Sequence, residues 1–322
     1  MQAHQVLEHK LAEWLDCSPD NVVACSSGTA ALHLAFEASG LQRGSNVLVP
    51  DYTMVACARA VTLAGHTPVF VDCDRDLLIA PLRAHRLATH AQALMAVHIY
   101  GRRCNMDALA ALDAHGMYLV EDMAELHGTK PHPQTDAACW SFYRNKVVHG
   151  EEGGAVYFRD AAKAVLARQL RCLGFTPDHD FVHRPRGHNY RLADLLATPI
   201  IESLSHMEAN LRHRKFVEGW YDARIPRMWH MPPRESVWVY DVNVLGMTLA
   251  MQHHVVRGLN EAGIQARCGF RPMTEQPEYF NRQNTMAFRL SRSVFYLPVT
   301  ETMTEAEGDR ACRALLTLLP PS

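Results

Sequence analysis

Short apolar runs alternate with amphipathic stretches through the first half of the chain. Residues Val22–Cys25, Asn46–Pro50, 67–72, 93–100, 117–122 and 138–143 are short and mostly β-branched, aromatic or otherwise apolar, which predicts buried strands. Between them, 29–39, 53–64 and 106–115 carry apolar residues at helical spacing and stop at Gly40, Gly65 and Gly116. Strand and helix in alternation predict an α/β fold with a mostly parallel central sheet sandwiched by helices. Ligands of such sheets bind outside the carboxyl ends of the strands. After Gly154 the pattern changes. A helix is expected over 160–172, a loop rich in Pro, His and Arg over 174–187, and a long helical stretch over 191–221 interrupted near Pro199. Segment 226–235 holds three prolines and reads as a linker. Beyond it, 239–245, 249–262, 264–269, 294–299 and 304–318 alternate strand and helix again. The expected division is therefore a large α/β domain over 1–224 and a smaller α+β domain over 225–322.

Composition narrows the function classes. The chain has 322 residues, 48% of them hydrophobic and 20% charged, which is ordinary for a globular protein with a substantial core. Its net charge of −2 supplies no basic field, so a nucleic-acid partner is disfavoured. No stretch approaches the roughly eighteen uninterrupted apolar residues of a membrane span. Residues 1–14 are polar and amphipathic, without the apolar centre of a signal peptide, so a cytoplasmic protein without membrane partners is expected. The nine cysteines are scattered singly and read as reduced, small apolar residues. The 19 histidines include no His-Glu-x-x-His, and the adjacent His253 and His254 face different ways on any helix, so no metal site is expected. The 32 basic residues divide into 27 Arg and only five Lys, which leaves few candidates for an amine nucleophile.

Three segments carry candidate chemistry. Ser26-Ser27-Gly28-Thr29-Ala30-Ala31-Leu32 joins the first strand to the first helix of the sheet. A glycine and free helix-start N–H groups there favour a phosphate, although Ser27 or Thr29 could equally be a plain N-cap. Glu121-Asp122 closes a strand, with Ala124, Glu125, His127 and Gly128 after it. Asp122 could face a cationic ring nitrogen or simply cap the next element. Ser141-Phe142-Tyr143-Arg144-Asn145-Lys146 follows a strand and runs into His149-Gly150-Glu151-Glu152-Gly153-Gly154. Lys10, Lys130, Lys163 and Lys215 lie on polar helices, a loop or a basic run, whereas Lys146 sits between a buried strand and a glycine turn. Desolvated there, it would offer a neutral amine for Schiff-base chemistry. A phosphate cradle, an Asp for a pyridinium nitrogen and a buried Lys are the parts of a pyridoxal phosphate site.

At these residues the sequence resembles the DegT/DnrJ/EryC1/StrS sugar aminotransferases, fold type I enzymes that use pyridoxal 5′-phosphate. The resemblance runs over nearly the whole chain. It includes Ser26 to Ala35, Val49-Pro50 with Thr53, Pro68-Val69-Phe70-Val71-Asp72, and Val97-His98-x-Tyr100-Gly101. It continues through Glu121-Asp122-x-Ala124-Glu125, Ser141-Phe142 with Asn145-Lys146, Glu152-Gly153-Gly154, Gly187-x-Asn189-Tyr190-Arg191, and Gly263-Ile264 with Arg267. The Val-His-x-Tyr-Gly and Glu-Asp-x-Ala-Glu versions are most similar to the branch that makes perosamine-type 4-amino-4,6-dideoxy sugars.

The resemblance implies that Lys146 carries the Schiff base and shuttles the proton, and that Asp122 pairs with the pyridine nitrogen. Gly28, Thr29 and Ser141 would hold the phosphate, and Glu125 would lie near the ring hydroxyl. Asn189 would reach the cofactor of a second subunit, making a homodimer with shared active sites obligatory. His98, Arg191 and Arg267 are the implied substrate contacts, although His98 and Arg267 also have structural readings as a sheet-end histidine and a domain bridge. The implied reaction passes an amino group from glutamate, a small-molecule donor, to a nucleotide-linked 4-keto-6-deoxy sugar.

The chain departs from the family at several points. Fewer residues precede the first strand than is usual. Met54 stands where an aromatic would stack on the pyridine ring, with Tyr52 nearby as a compensating ring, and Thr274 stands for a histidine of the small domain. A second reading therefore stays open, in which the same lysine serves decarboxylation or other α-carbon chemistry on an amino-acid-like group, on a modified nucleotide or nucleic acid. The loop His183-Arg184-Pro185-Arg186-Gly187-His188 would then contact phosphates, while Arg212-His213-Arg214-Lys215 reads as solvated surface. A third reading is a catalytically silent regulatory protein that keeps the fold.

Overall fold

The computed structural model describes residues 2–113, 116–175, 181–281 and 285–319. The end of the expected helix 106–115, the centre of the loop 174–187 and the last residues of the expected small domain lie outside them. Seven strands form one sheet: β1 (Val22–Cys25), β2 (Asn46–Pro50), β3 (Thr67–Val71), β4 (Ala93–Val97), β5 (Tyr118–Asp122), β6 (Ala137–Ser141) and β7 (Gly154–Phe158). Their order is β1-β7-β6-β5-β4-β2-β3. The pairs from β6 across to β3 are all parallel, whereas β7 runs antiparallel to both β1 and β6. Strand β7 is the one member of this sheet that the hydrophobic pattern did not predict. It follows β6 through the loop 142–153, which folds back on its own base and returns the chain antiparallel beside β6.

Helices α1 (Ala3–Leu15), α2 (Gly28–Glu37), α3 (Val55–Leu63), α4 (Pro81–Ala88), α5 (Met106–Ala110), α6 (Ala161–Arg171), α7 (Asp194–Ser205) and α8 (Met207–Arg224) surround the sheet. Alternate residues of β1 and β6 enter different cores, as the two-residue period of a strand requires. Val23, Cys25 and Cys139 pack with Leu34 and Phe36 of α2, whereas Ala24 and Trp140 pack with Leu7 of α1 and Ile200 of α7. With both faces covered, β4 and β5 are buried at every position. The helical stretch after residue 191 does not break near Pro199, which lies inside α7; the break falls at His206, where α7 and α8 meet.

A second sheet contains β8 (Tyr240–Asn243), β9 (Arg267–Cys268) and β10 (Val294–Leu297), antiparallel in the order β8-β10-β9. Helices α9 (Leu249–Glu261), α10 (Met286–Leu290) and α11 (Glu305–Leu318) belong to this half of the chain. The core of the small sheet takes Val217 and Tyr221 from α8, so that helix serves both halves.

The halves are locked together at Gly101. Its carbonyl accepts from the N–H groups of Glu235 and Ser236, and its φ is +79°. A Cβ there would lie 1.6 Å from the Ser236 carbonyl oxygen, so only glycine allows this approach.

Candidate active site

The carboxyl ends of β1, β2, β4, β5 and β6 open on one cavity of about 540 Å³. Such a position is where an α/β sheet binds its ligand, and the volume lies within the range of small-molecule sites.

Lys146 enters this cavity from the loop that joins β6 to β7. The loop is closed at its base by hydrogen bonds from Phe142 N–H to the Gly153 carbonyl and from Gly150 N–H to the Phe142 carbonyl, each 2.8 Å. Lys146 is 8% exposed, and its Nζ lies 3.8 Å from the centre of the Trp238 ring and 3.9 Å from Glu125 Oε1. Burial lowers its pKa against the pull of Glu125 and Asp122, and the buried Arg214 guanidinium lowers it further. The amine is thereby shifted towards its neutral, nucleophilic form.

Asp122 ends β5 at the cavity wall. One carboxylate oxygen accepts from Ala124 N–H at 3.0 Å, and the other accepts from the Cys57 thiol at 3.2 Å. Thr53 Oγ1 in turn donates to Cys57 Sγ at 3.1 Å. Burial and then the Asp122 charge keep the Cys57 thiol protonated, so it remains a donor. Asp122 thus makes the local capping contact and also presents a carboxylate to the cavity.

Three residues beyond it, Glu125 Oε2 accepts a 2.6 Å hydrogen bond from the N–H of Tyr100. That bond holds Tyr100 in a left-handed conformation, φ 54° and ψ 30°. Burial pushes the Glu125 carboxyl up to about 7, against the opposing effects of Lys146 and Tyr100 N–H.

Opposite these groups, Ser27 caps α2 by accepting from Ala30 N–H at 3.1 Å. Gly28 and Thr29 follow as the first residues of the helix, where N–H groups have no acceptor within the helix. A Cβ on Gly28 would lie 2.7 Å from the Ser141 Cβ. The missing side chain lets the helix start and the end of β6 form one narrow cradle.

The other predicted site residues separate into groups. Met54, His98 and Arg267 line the cavity. The His98 ring is fully buried, with Nε2 2.8 Å from Glu121 Oε2 and Nδ1 accepting from Cys104 N–H, so both nitrogens are engaged within the protein. Asn189 and Arg191 are exposed, hydrogen-bonded to each other at 3.1 Å, and do not line the cavity of their own chain.

Tyr52 does not take the stacking place next to Met54. It is fully buried, and its hydroxyl is 3.2 Å from that of Tyr100 and accepts from Phe270 N–H. Thr274 lies outside the cavity, where its N–H and hydroxyl bind the Asp51 carboxylate.

The basic run on α8 is also corrected. Arg214 is buried and donates to the carbonyls of Trp238, Val299 and Lys146 and to Glu301, so it supports the active-site backbone instead of forming solvated surface. Lys163, expected on a solvated face, donates to the Ser39 carbonyl. Sequence reasoning missed Trp238, Phe270 and Tyr296, which close the cavity from the small half of the chain.

The profile of the DegT/DnrJ/EryC1/StrS aminotransferase family matches residues 2–316. The chain belongs to this family. It is 32% identical to a GDP-perosamine synthase of Caulobacter vibrioides over 93% of this chain and 86% of that protein. It is 28% identical to a GDP-perosamine synthase of Vibrio cholerae over 89% and 81%. Among solved structures, S. venezuelae DesV in complex with a ketimine intermediate matches with a TM-score of 0.88 and 26% identity, covering 100% of this chain and 91% of that one.

As a member of this family, the protein is a pyridoxal 5′-phosphate-dependent aminotransferase of fold type I. The residues fit the cofactor: the Gly28–Ser141 cradle would be filled by any larger side chain, and a carboxylate and a buried amine face the same cavity. No helix among the described residues is long and apolar enough to cross a membrane.

Proposed function

We propose that the enzyme transfers the amino group of glutamate to a nucleotide-linked 4-keto-6-deoxy sugar. The observation that carries the reading is the convergence of Lys146, Asp122 and Glu125 on one cavity, opposite the Gly28, Thr29 and Ser141 cradle. The naming of its relatives as GDP-perosamine synthases supports the choice of acceptor.

When bound, the cofactor supplies the electrophilic carbon and the electron sink for amino transfer. Around it, the cradle would hold the phosphate by backbone N–H groups and the Ser141 hydroxyl. Asp122 would accept from the ring nitrogen, with its orientation fixed by Ala124 and Cys57. Glu125 would sit beside the ring hydroxyl, and Met54 would pack against the ring. The Lys146 amine moves the proton to and from the substrate carbon, at the pKa that burial and Glu125 set for it. Arg267 would bind an anionic group of the donor or the sugar nucleotide. His98 acts on the site through Glu121 and the strand end it holds.

We further propose a homodimer in which Asn189, and Arg191 beside it, complete the partner's site. A division near residue 224 and a cytoplasmic location, where nucleotide sugars are made, complete the reading. An electron-sink carboxylate paired with a buried amine has no use in a silent binding protein.

The test is direct. Borohydride should fix the cofactor on Lys146, glutamate should bleach the visible band, and Lys146→Ala should abolish turnover with the fold retained. Turnover surviving in Lys146→Ala would sink the assignment. A band that glutamate leaves unchanged would sink the proposed donor.

A further inference from the structure

Outside the active site, the fold brings together three metal-ligating side chains that the sequence reading did not connect, having predicted no metal site. His33 and Glu37 lie one turn apart on α2, and His188 reaches them from a loop 151 positions from Glu37. The His188 Nε2 is 2.7 Å from Glu37 Oε2, and the His33 Nε2 is 3.9 Å from the same oxygen. All three ligand atoms lie within 4.8 Å of one another.

A plain His188–Glu37 ion pair leaves one atom unexplained. His33 is 2% exposed, its Nε2 is buried, and that nitrogen has no hydrogen-bond partner among the described residues. An unpartnered buried polar atom is destabilising, so its placement facing a carboxylate beyond hydrogen-bond reach calls for a ligand.

We propose that His33, Glu37 and His188 form a binding site for a first-row divalent metal ion, zinc foremost. Two imidazoles and a carboxylate are a donor set suited to zinc, with a fourth position left for water. Bonds of about 2.0–2.2 Å in tetrahedral geometry place neighbouring ligand atoms about 3.4 Å apart. The separations of 2.7 and 3.9 Å straddle that value, so small side-chain rotations close the site.

The surroundings are already arranged for it. His33 Nδ1 is 3.1 Å from the Tyr190 hydroxyl, a contact that fixes the ring and leaves Nε2 as the ligating nitrogen. The His188 ring stacks on Tyr190, with centroids 4.8 Å apart and planes 16° from parallel. Burial lowers the His33 pKa, with a smaller lowering by His188, against the raising effects of Glu37 and the nearby Leu63 carbonyl, and favours the neutral ring that a metal needs.

The role is structural. Helix α2 begins at the Gly28 cradle, and the Tyr190 carbonyl accepts from Ser26 N–H at 2.8 Å immediately before it. An ion at His33, Glu37 and His188 would pin the helix to this loop from its far end.

Metal content decides the matter on the cofactor-loaded enzyme, stripped with chelator, re-equilibrated with zinc and separated from unbound ion. The expected result is stoichiometric zinc in the wild type, together with a higher Tm on zinc addition. Glu37→Gln, close in shape, and His188→Phe, which keeps the ring on Tyr190, should each weaken zinc binding at least about tenfold and abolish the Tm shift. Both leave Lys146 and Asp122 in place. If His188→Phe fails to fold, Glu37→Gln carries the comparison. Zinc uptake that is absent in the wild type, or unchanged in Glu37→Gln, would overturn the site, since binding by other surface histidines would survive that substitution.

Discussion

Of the two carboxylates that act on Lys146, Glu125 has the larger effect on its reactivity and Asp122 the smaller. Glu125 raises the lysine pKa while burial lowers it, so Glu125→Gln should lower it further. In cofactor-free protein, the pH profile of Lys146 labelling by an amine reagent should move down by on the order of one unit. A profile that stays put would show that the two groups do not interact. Stability provides a second reading. The Glu125 carboxyl is raised to about 7 in the folded protein, so the native state holds a proton that the unfolded chain has released. Stability therefore falls as pH rises from about 4.5 towards 7, and Gln should remove that slope. At this scale the sequence was informative where a residue ends a strand, as Asp122 and Ser141 do, or follows one closely, as Gly28 and Lys146 do, because the apolar run before it gives its place. Arg214 could not be placed in this way, because its burial depends on carbonyls at 146, 238 and 299, which only the tertiary fold assembles. Trp238, Phe270 and Tyr296 escaped for the same reason.

Among the elements, the junction between α2 and β6 is the proposed seat of the cofactor phosphate. Gly28→Ala would place a methyl 2.7 Å from the Ser141 Cβ and 3.2 Å from its Cα, so the helix start or the strand end must shift. Affinity for pyridoxal phosphate should fall about tenfold or more, with circular dichroism unchanged, because charge-assisted phosphate hydrogen bonds depend closely on geometry. Undiminished affinity in an equilibrium titration would show that the cradle lies elsewhere. The parallel strands and the crossover helices α3 and α5 were legible because apolar runs and helical spacing agreed with each other, whereas α4 was not predicted. Strand β7 and the α7–α8 break were not. The first follows a glycine turn with no helix between, and the second falls at His206, where no proline or glycine marks it.

At the scale of the whole molecule, the small half is fastened to the large one by buried charge. Arg102 lies just after Gly101 and grips both oxygens of Asp241 on β8, at 2.9 and 3.0 Å. Arg234 binds the same carboxylate at 2.6 Å and Glu218 at 2.8 Å, with all four side chains nearly inaccessible. Burial alone would raise the Asp241 pKa, but the two guanidiniums outweigh it and hold the carboxyl below its usual range. A carboxyl depressed in the folded state contributes stability above its unfolded pKa and loses it as pH falls through the folded value. Asp241→Asn leaves the buried Arg102 guanidinium without an anion and takes from Arg234 one of its two carboxylates, and should destabilise the protein by about 3–5 kcal/mol at neutral pH. Urea unfolding of both proteins across pH checks this. The difference should be full at neutral pH and shrink below about pH 4, as the native carboxyl takes up its proton in the wild type. Equal stability at neutral pH would mean that aromatic packing, such as Phe270 stacked on Tyr100 at 5.3 Å, holds the halves together without the ionic cluster. Because Trp238 and Phe270 reach the cavity from the small half, loosening this joint should also uncover Lys146. Asp241→Asn should therefore raise the rate of Lys146 labelling, although residue 241 touches neither cofactor nor substrate.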